Sequence, residues 1–241
     1  ANSPKIHKPN FERVANEGIE FTQSYTACPL CGPARRTLLT GLYPHSHGEI
    51  RNETNEDYLN EIYFEKLAEQ GYKNYYFGKW HAGSGTALDF GCEGFSLRGY
   101  GNPYMTPEYE KYLEDNGLKY IQVKIDKNFD DPISKNLGIE EGELYEPRFP
   151  VHSEYFTAIM TTPKETHEAF FLTHLACEKL KEIAEDENKQ PFHMRIDFWG
   201  PHEPYIAAQD YLDQYDPEKI PQHPNFIDNL DTKPELYKKQ N

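Results

Sequence analysis

Apolar positions recur along this chain with two periods, and together they predict alternating helices and strands. Between Pro9 and Glu17, Phe11, Val14 and Ala15 share one side of a 3.6-residue repeat, and Gly18 follows as a stop, so a short helix is predicted. Ile19 and Phe21 then alternate with polar neighbours as a strand would. From Leu59 to Gln70 the residues Leu59, Ile62, Tyr63 and Leu67 keep helical spacing, and Gly71 is placed to end that helix. Lys73 to Phe77 reads as a buried strand running into Gly78-Lys79-Trp80-His81. A longer helix is predicted over Glu168–Glu185, where Leu172, Leu175, Ala176, Leu180 and Ile183 make an apolar stripe. After the acidic run 185–187, Pro191 opens a strand, Phe192 to Phe198, that leads into Trp199-Gly200-Pro201-His202-Glu203-Pro204.

Between these elements the pattern weakens. Residues 44–57 are polar and rich in turn formers, so a loop is predicted. Residues 84–165 are dominated by Gly, Tyr, Pro and acids, with a helix near Pro107 to Asp115. They are expected to be a loop-rich region over the site, where specificity often lives. The tail 210–241 is polar, broken by prolines, and offers no apolar element strong enough to close a sheet. Helix followed by strand, with the strand ending in a polar loop, is the α/β pattern whose site lies at strand C-terminal ends.

A chain of 241 residues can bury one good core, and residues 1–241 are expected to form one domain. The formal charge of −15 argues against nucleic acid or an anionic membrane surface as partner. It leaves a small anionic substrate open, because a pocket needs only a few local cations. No apolar run approaches the roughly 20 residues of a membrane helix. The four cysteines, Cys28, Cys31, Cys92 and Cys177, are too few for a disulfide framework.

The stretch with the most chemistry is Cys28 to Gly41. Gly32 and Pro33 follow a thiol and lead into a helix-compatible run that Gly41 can end. Cys31 would then sit where unpaired backbone N–H groups converge, with Arg35 one turn further along the same face. That setting suits a reactive group and an anion together. Other readings remain open at this stage: Cys31 as a buried structural thiol, or Cys28-x-x-Cys31 as half a zinc site or a redox pair. Arg35 and Lys79, in two loops that could converge, are candidate anion ligands, and Arg36 is expected to be structural or exposed. His81 and His202 each follow a predicted strand, and His202 lies between two prolines, so both are candidate acid–base groups. His45 and His47 read as loop residues and not as metal ligands. Trp80 and Trp199 read as packing.

Three of these stretches resemble one family. Cys31-x-Pro33-x-Arg35 with Leu39-Thr40-Gly41 and Tyr43-Pro44-His45, then Gly78-Lys79-Trp80-His81, then Pro201-His202-Glu203-Pro204, are similar in order and spacing to the formylglycine-dependent sulfatases. Ala34 stands where Ser is commoner. The likeness is strong over residues 9–83 and 191–205 and vague between them. It implies an alkaline-phosphatase-like α/β sandwich, a mixed central sheet with helices on both faces, and hydrolysis of a sulfate ester. It further implies that Cys31 is oxidised by a maturation enzyme to the aldehyde formylglycine. In the roles it carries over, His202 protonates the leaving alcohol, His81 takes a proton from the aldehyde hydrate, and Arg35 and Lys79 hold the hydrate and the sulfate oxygens.

The same resemblance implies a divalent cation, Ca²⁺ or Mg²⁺, bound at position 31 as formylglycine and by further acidic residues. Those come in the family as an early Asp-Asp pair and a late Asp followed by Asn or His, and neither is matched here. Asp130-Asp131 has the wrong neighbours and is not assigned. The chain is therefore expected to be a fragment of a longer sulfatase, with little activity by itself. Export from the cytoplasm is favoured by the resemblance only. An aryl sulfate, a sulfated sugar and an alkyl sulfate all remain open as substrates. Two alternatives stand beside this reading: a formylglycine-dependent phosphonate or phosphodiester hydrolase, and a non-catalytic protein that binds a sulfated glycan.

Overall fold

The structure is a computed structural model and describes residues 6–52, 57–129, 132–150, 152, 154–222 and 226–235. The chain divides into two compact units, one formed by Ala1–Ser24 with Asp210–Asn241, the other by Tyr25–Gln209.

In the first unit the predicted helix forms as α1 (Pro9–Glu17), with a proline in its first turn. Its apolar side chains are exposed, Phe11 at 77%. Ile19 and Phe21 form no strand. Two alternating apolar residues are too few to commit a segment to a ladder, and both side chains here face solvent. The tail contributes a 3₁₀ turn, Pro217–Lys219, capped by the Asp216 side chain. The Tyr215 hydroxyl accepts from the His7 backbone N–H at 3.1 Å.

The second unit runs α2 (Cys31–Thr40), α3 (Pro44–His47), α4 (Tyr63–Glu69), β1 (Lys73–Lys79), β2 (Cys92–Leu97), α5 (Pro107–Asp115), β3 (Val123–Asn128), α6 (Pro132–Asn136), β4 (Leu144–Tyr145), β5 (Phe156–Met160), α7 (Glu168–Glu185), β6 (Phe192–Asp197) and β7 (Tyr205–Ala207), and α8 (Gln209–Leu212) follows. One sheet has three strands in the order β2-β1-β6, parallel throughout. The other has four, β4-β3-β5-β7, and mixes directions: β3 is antiparallel to β4 and β5, while β5 and β7 are parallel.

Strand β1 shows why the parallel sheet is covered on both faces. Successive side chains point to opposite sides. Tyr75 and Phe77 join a core with Phe171, Leu172 and Ala176 of α7. Tyr76 joins Phe64 of α4 and Leu39 of α2 on the other side, and there the Asn74 side chain donates to the Phe64 carbonyl at 2.9 Å. Burying each of the large side chains contributes about 1.5–3 kcal/mol. Gly78 ends this run with φ +125°, and a Cβ there would lie 2.0 Å from the Asp197 carbonyl oxygen. Only glycine permits that approach, which brings the ends of β1 and β6 together.

Helices α5 and α7 span the residues predicted for them. Helix α4 starts later than predicted: Leu59 is fully open to solvent, and the Ile62 N–H is capped by Glu65 Oε2 at 2.8 Å. Residues 44–57 include the short α3, and 53–56 lie outside the described residues, as do Asp130 and Asp131. Among the described residues of 84–165, expected to be loop-rich, there are four strands and two α-helices. Their core mixes aliphatic residues with three buried tyrosines, Tyr104, Tyr109 and Tyr112. Tyr109 donates to the Thr166 carbonyl and Tyr112 to that of Glu165, each at 2.7 Å. A residue with a polar tip can fill a core when that tip has a partner, and tyrosines hide a core from a count of aliphatic residues.

Candidate active site

The N-terminus of α2 is built from the cysteine motif. Leu30 is its extended N-cap, Cys31 its first residue, and Pro33 lies in the first turn where no N–H is needed. Gly41 ends it in the left-handed conformation, as the sequence predicts. The Gly32 N–H donates to Asn52 Oδ1 at 2.9 Å. A Cβ on Gly32 would meet Glu49 Oε1 at 2.3 Å, so the turn beside Cys31 has no room for a side chain.

Four of the five candidate residues gather at Cys31. Hydrogen bonding with His202 and then His81, helped by the Lys79 charge, lowers the thiol to about 5 against the opposing effect of burial. His202 is pushed upward, chiefly by its bond to Cys31. Its Nδ1 donates to the Glu203 carbonyl at 2.8 Å, which leaves Nε2 to face the sulfur. Lys79, at the end of β1 and only 2% exposed, is lowered to about 8 by burial. His81 is buried, with φ +45°, and neither ring nitrogen makes a well-formed hydrogen bond.

Arg35 lies one turn along α2 from Cys31, but its side chain is turned to the sheet. Nη1 donates to Asp197 Oδ2 at 2.7 Å and to the Lys79 carbonyl at 2.8 Å. The rest of the guanidinium stays available as a fixed fork. Asp197, at the end of β6, also accepts from Arg195 Nε at 2.9 Å and from the Tyr76 hydroxyl at 2.6 Å. Burial works against its charge, yet these partners hold the carboxyl below its ordinary range.

Arg36 is structural and 1% exposed, donating to the carbonyls of Asn60 and Tyr58 at 3.1 and 3.5 Å. His47 is buried against Thr37 Oγ1 at 3.0 Å, and His45 stacks on Tyr43. Trp80 and Trp199 are core residues. All four cysteines are free thiols.

Sequence reasoning missed three residues around this point. Asp197 lies near the end of the predicted strand Phe192 to Phe198, and a carboxylate there beside Arg195 was a readable signal. Glu168, the first residue of α7, is buried and accepts from the Gly200 N–H at 3.2 Å, anchoring the loop that carries His202. Tyr100 lies against Lys79, His81 and His202. No spacing rule could have found it, because it comes from the segment whose fold was unread.

A thiol at a helix N-terminus, two imidazoles carried on loops and a buried ammonium at the C-terminal end of a parallel strand thus come together. The solved structure of BT4656 in complex with its substrate D-glucosamine-2-N,6-O-disulfate has a similar fold, with TM-score 0.57, 19% identity, and 97% of this chain but 37% of that chain covered. The architecture is the alkaline-phosphatase-like α/β fold. The sequence profile of the sulfatase family matches residues 1–232, and the chain belongs to that family. It is 27% identical over 229 residues to the "Multifunctional alkaline phosphatase superfamily protein PehA" of Trinickia caryophylli, covering 90% of this chain and 40% of that protein. It is also 27% identical over 243 residues to a "Sulfatase" of Formosa agariphila, covering 97% and 42%. The chain thus spans about two-fifths of the length of these relatives.

Sulfatases in general carry a formylglycine and a divalent metal. The surroundings of Cys31 fit the first: neither ring nitrogen of the buried His81 makes a well-formed hydrogen bond, and the hydroxyls of an aldehyde hydrate beside it could supply one. For the metal, no three His, Cys, Asp or Glu side chains among the described residues gather where they could hold an ion together. No helix among the described residues is long and apolar enough to cross a membrane.

Proposed function

We propose that this protein hydrolyses a sulfate monoester at the Cys31 site, with Cys31 converted to formylglycine. The observation that carries the reading is the convergence of Cys31, Lys79, His81 and His202, from three separate stretches, in a chain of the sulfatase family. A hydrated aldehyde at position 31 supplies one hydroxyl to attack sulfur and a second whose ionisation releases sulfate, an exit that serine lacks.

The chain's own residues do the rest. His202 holds a proton at Nε2, with Nδ1 fixed on the Glu203 carbonyl, and gives it to the departing alcohol oxygen. His81 accepts a proton from the second hydroxyl. Lys79 and the remaining face of the Arg35 guanidinium bind sulfate oxygens and stabilise charge that builds as the ester bond breaks. We take the divalent ion to be Ca²⁺, with Mg²⁺ the alternative, and residue 31 after conversion to be among its ligands. A maturation enzyme acting on Cys31-x-Pro33-x-Arg35 is the implied partner. We assign substrate choice to residues 84–165, and a sulfated amino sugar is the first substrate to try, because BT4656 binds one.

The test is the mass of the peptide containing Cys31, from protein purified from its native source. A mass fitting the aldehyde or its hydrate supports the mechanism, and an unmodified thiol overturns it. Cys31→Ala then separates an enzyme from a glycan-binding protein: turnover is lost in the first, while affinity stays nearly unchanged in the second. The likeness to PehA, a multifunctional protein by name, favours one further reading, hydrolysis of a phosphodiester or phosphonate at the same site. Rates on matched sulfate and phosphate diesters decide it.

A further inference from the structure

Tyr100 lies on the loop between β2 and α5 and touches three candidate site residues at once. Lys79 Nζ sits 4.4 Å from the centre of its ring. The His81 ring meets it edge-on at 4.4 Å, and the His202 ring lies at 5.3 Å and is tilted. Its hydroxyl receives the Asn52 side-chain amide at 3.5 Å, and Asn52 in turn accepts from the Gly32 N–H beside Cys31. The backbone is clamped too. The Tyr100 carbonyl accepts from the His152 N–H at 2.7 Å, Asn102 N–H donates to the Pro150 carbonyl at 3.2 Å, and Gly101 N–H closes a turn onto Arg98.

We propose that Tyr100 is a positioning residue: its ring face holds the Lys79 ammonium and its perimeter fixes the His81 and His202 imidazoles around residue 31. The physics is that of a cation over an aromatic face. A buried ammonium has lost water, and the negative face of a phenol ring replaces part of that solvation without a competing charge. A carboxylate in the same place would neutralise Lys79 and repel an anionic substrate. An aliphatic residue would leave the ammonium free to turn toward Glu203, whose charge it already feels. The ring keeps Lys79 aimed and available to an anion. Because one rigid ring touches all three groups, it also sets their mutual spacing. The role rests on the sulfatase reading only for what the positioned groups do, and not for the positioning itself.

Two measurements on the whole protein test this, and only the second needs turnover. The first is reductive methylation of Lys79, read by peptide mass. Lys79 is expected to be protected in the native protein and in Tyr100→Phe, and modified about tenfold faster in Tyr100→Leu. The second is kinetics on a sulfate ester. Tyr100→Leu is expected to lower kcat/KM by about tenfold to a hundredfold, with Tyr100→Phe close to native. Should Tyr100→Leu fail to fold, phenylalanines with one, two and three ring fluorines at position 100 keep the shape while weakening the ring face. They should expose Lys79 to methylation in that order. Equal protection of Lys79 across the leucine or fluorinated series overturns the proposal, and so does a Tyr100→Phe as impaired as Tyr100→Leu. Loss of Lys79 protection in a protein that shows no sulfate ester hydrolysis at all would retain the positioning role and refute the sulfatase reading alone.

Discussion

The two sheets of the larger unit carry different kinds of side chain where their strands end. At the C-terminal ends of β1 and β6 the parallel sheet gathers Lys79, Asp197 and the Arg35 guanidinium, all shielded from solvent. The four-stranded sheet buries Val123, Ile125, Phe156 and Ala158 instead. Buried charge is costly unless it is paired and hydrogen-bonded. Where parallel strands end together, several chains of polar partners can meet, and Asp197 alone receives Arg35, Arg195 and Tyr76. The antiparallel pairs β3–β4 and β3–β5 offer no such common end. One sheet is organised for chemistry, the other for holding its neighbour.

The sharpest way to break that division is His202→Ala. It is expected to lower turnover by about 10²–10⁴-fold. In unconverted protein it should also move the pH at which Cys31 is alkylated upward from about 5, since the thiolate loses its first partner. No change in either measurement would deny the Cys31 site its special status. The complementary test is Phe156→Ala, in the core of the other sheet. Loss of a fully buried phenylalanine is expected to cost about 3–5 kcal/mol in denaturant unfolding while the alkylation midpoint of Cys31 stays put. A midpoint that moved with stability would mean the two sheets do not divide their labour.

The smallest effect lies between the sheets, at Glu168. Burial raises its carboxyl to about 7 from 4.5. The folded state therefore keeps a proton that the unfolded state gives up at lower pH. The stability linked to it is full below about 4.5 and is lost as pH rises through about 7. The melting temperature is expected to fall between pH 5 and 8, and Glu168→Gln should flatten that fall while keeping an acceptor for the Gly200 N–H. The difference amounts to roughly 3 kcal/mol at most. A native protein with a flat profile over that window would remove Glu168 from the account.

Much of the parallel sheet was legible in the sequence because its signals are local. The stripe of α7, the stop at Gly41 and the strand before Gly78 each depend on neighbours a few residues apart. The motif histidines and lysine were legible for the same reason. Strands β2 to β5 were not. They are short, and Gly and Pro fall between them. Their partners lie far along the chain, as where β5 pairs with β7. Part of their core is made by Tyr104, Tyr109 and Tyr112, whose polar tips blur an apolar pattern. Tyr100 was hidden twice over, by an unread fold and by a role that depends on three residues from other stretches. Helix α1 shows the reverse failure: its pattern predicted the helix correctly, yet the apolar side is exposed in the described structure.

The loop from Phe198 to Pro204 leaves the parallel sheet at Asp197 and enters the other sheet at Tyr205, so His202 hangs on a strap fastened to both. Glu168 ties that strap down near its middle, through Gly200. The reach of His202 toward residue 31 is thus a measure of how far apart the two sheets stand. A shift of either sheet, from a bulky substrate or from a loosened core, would change that reach.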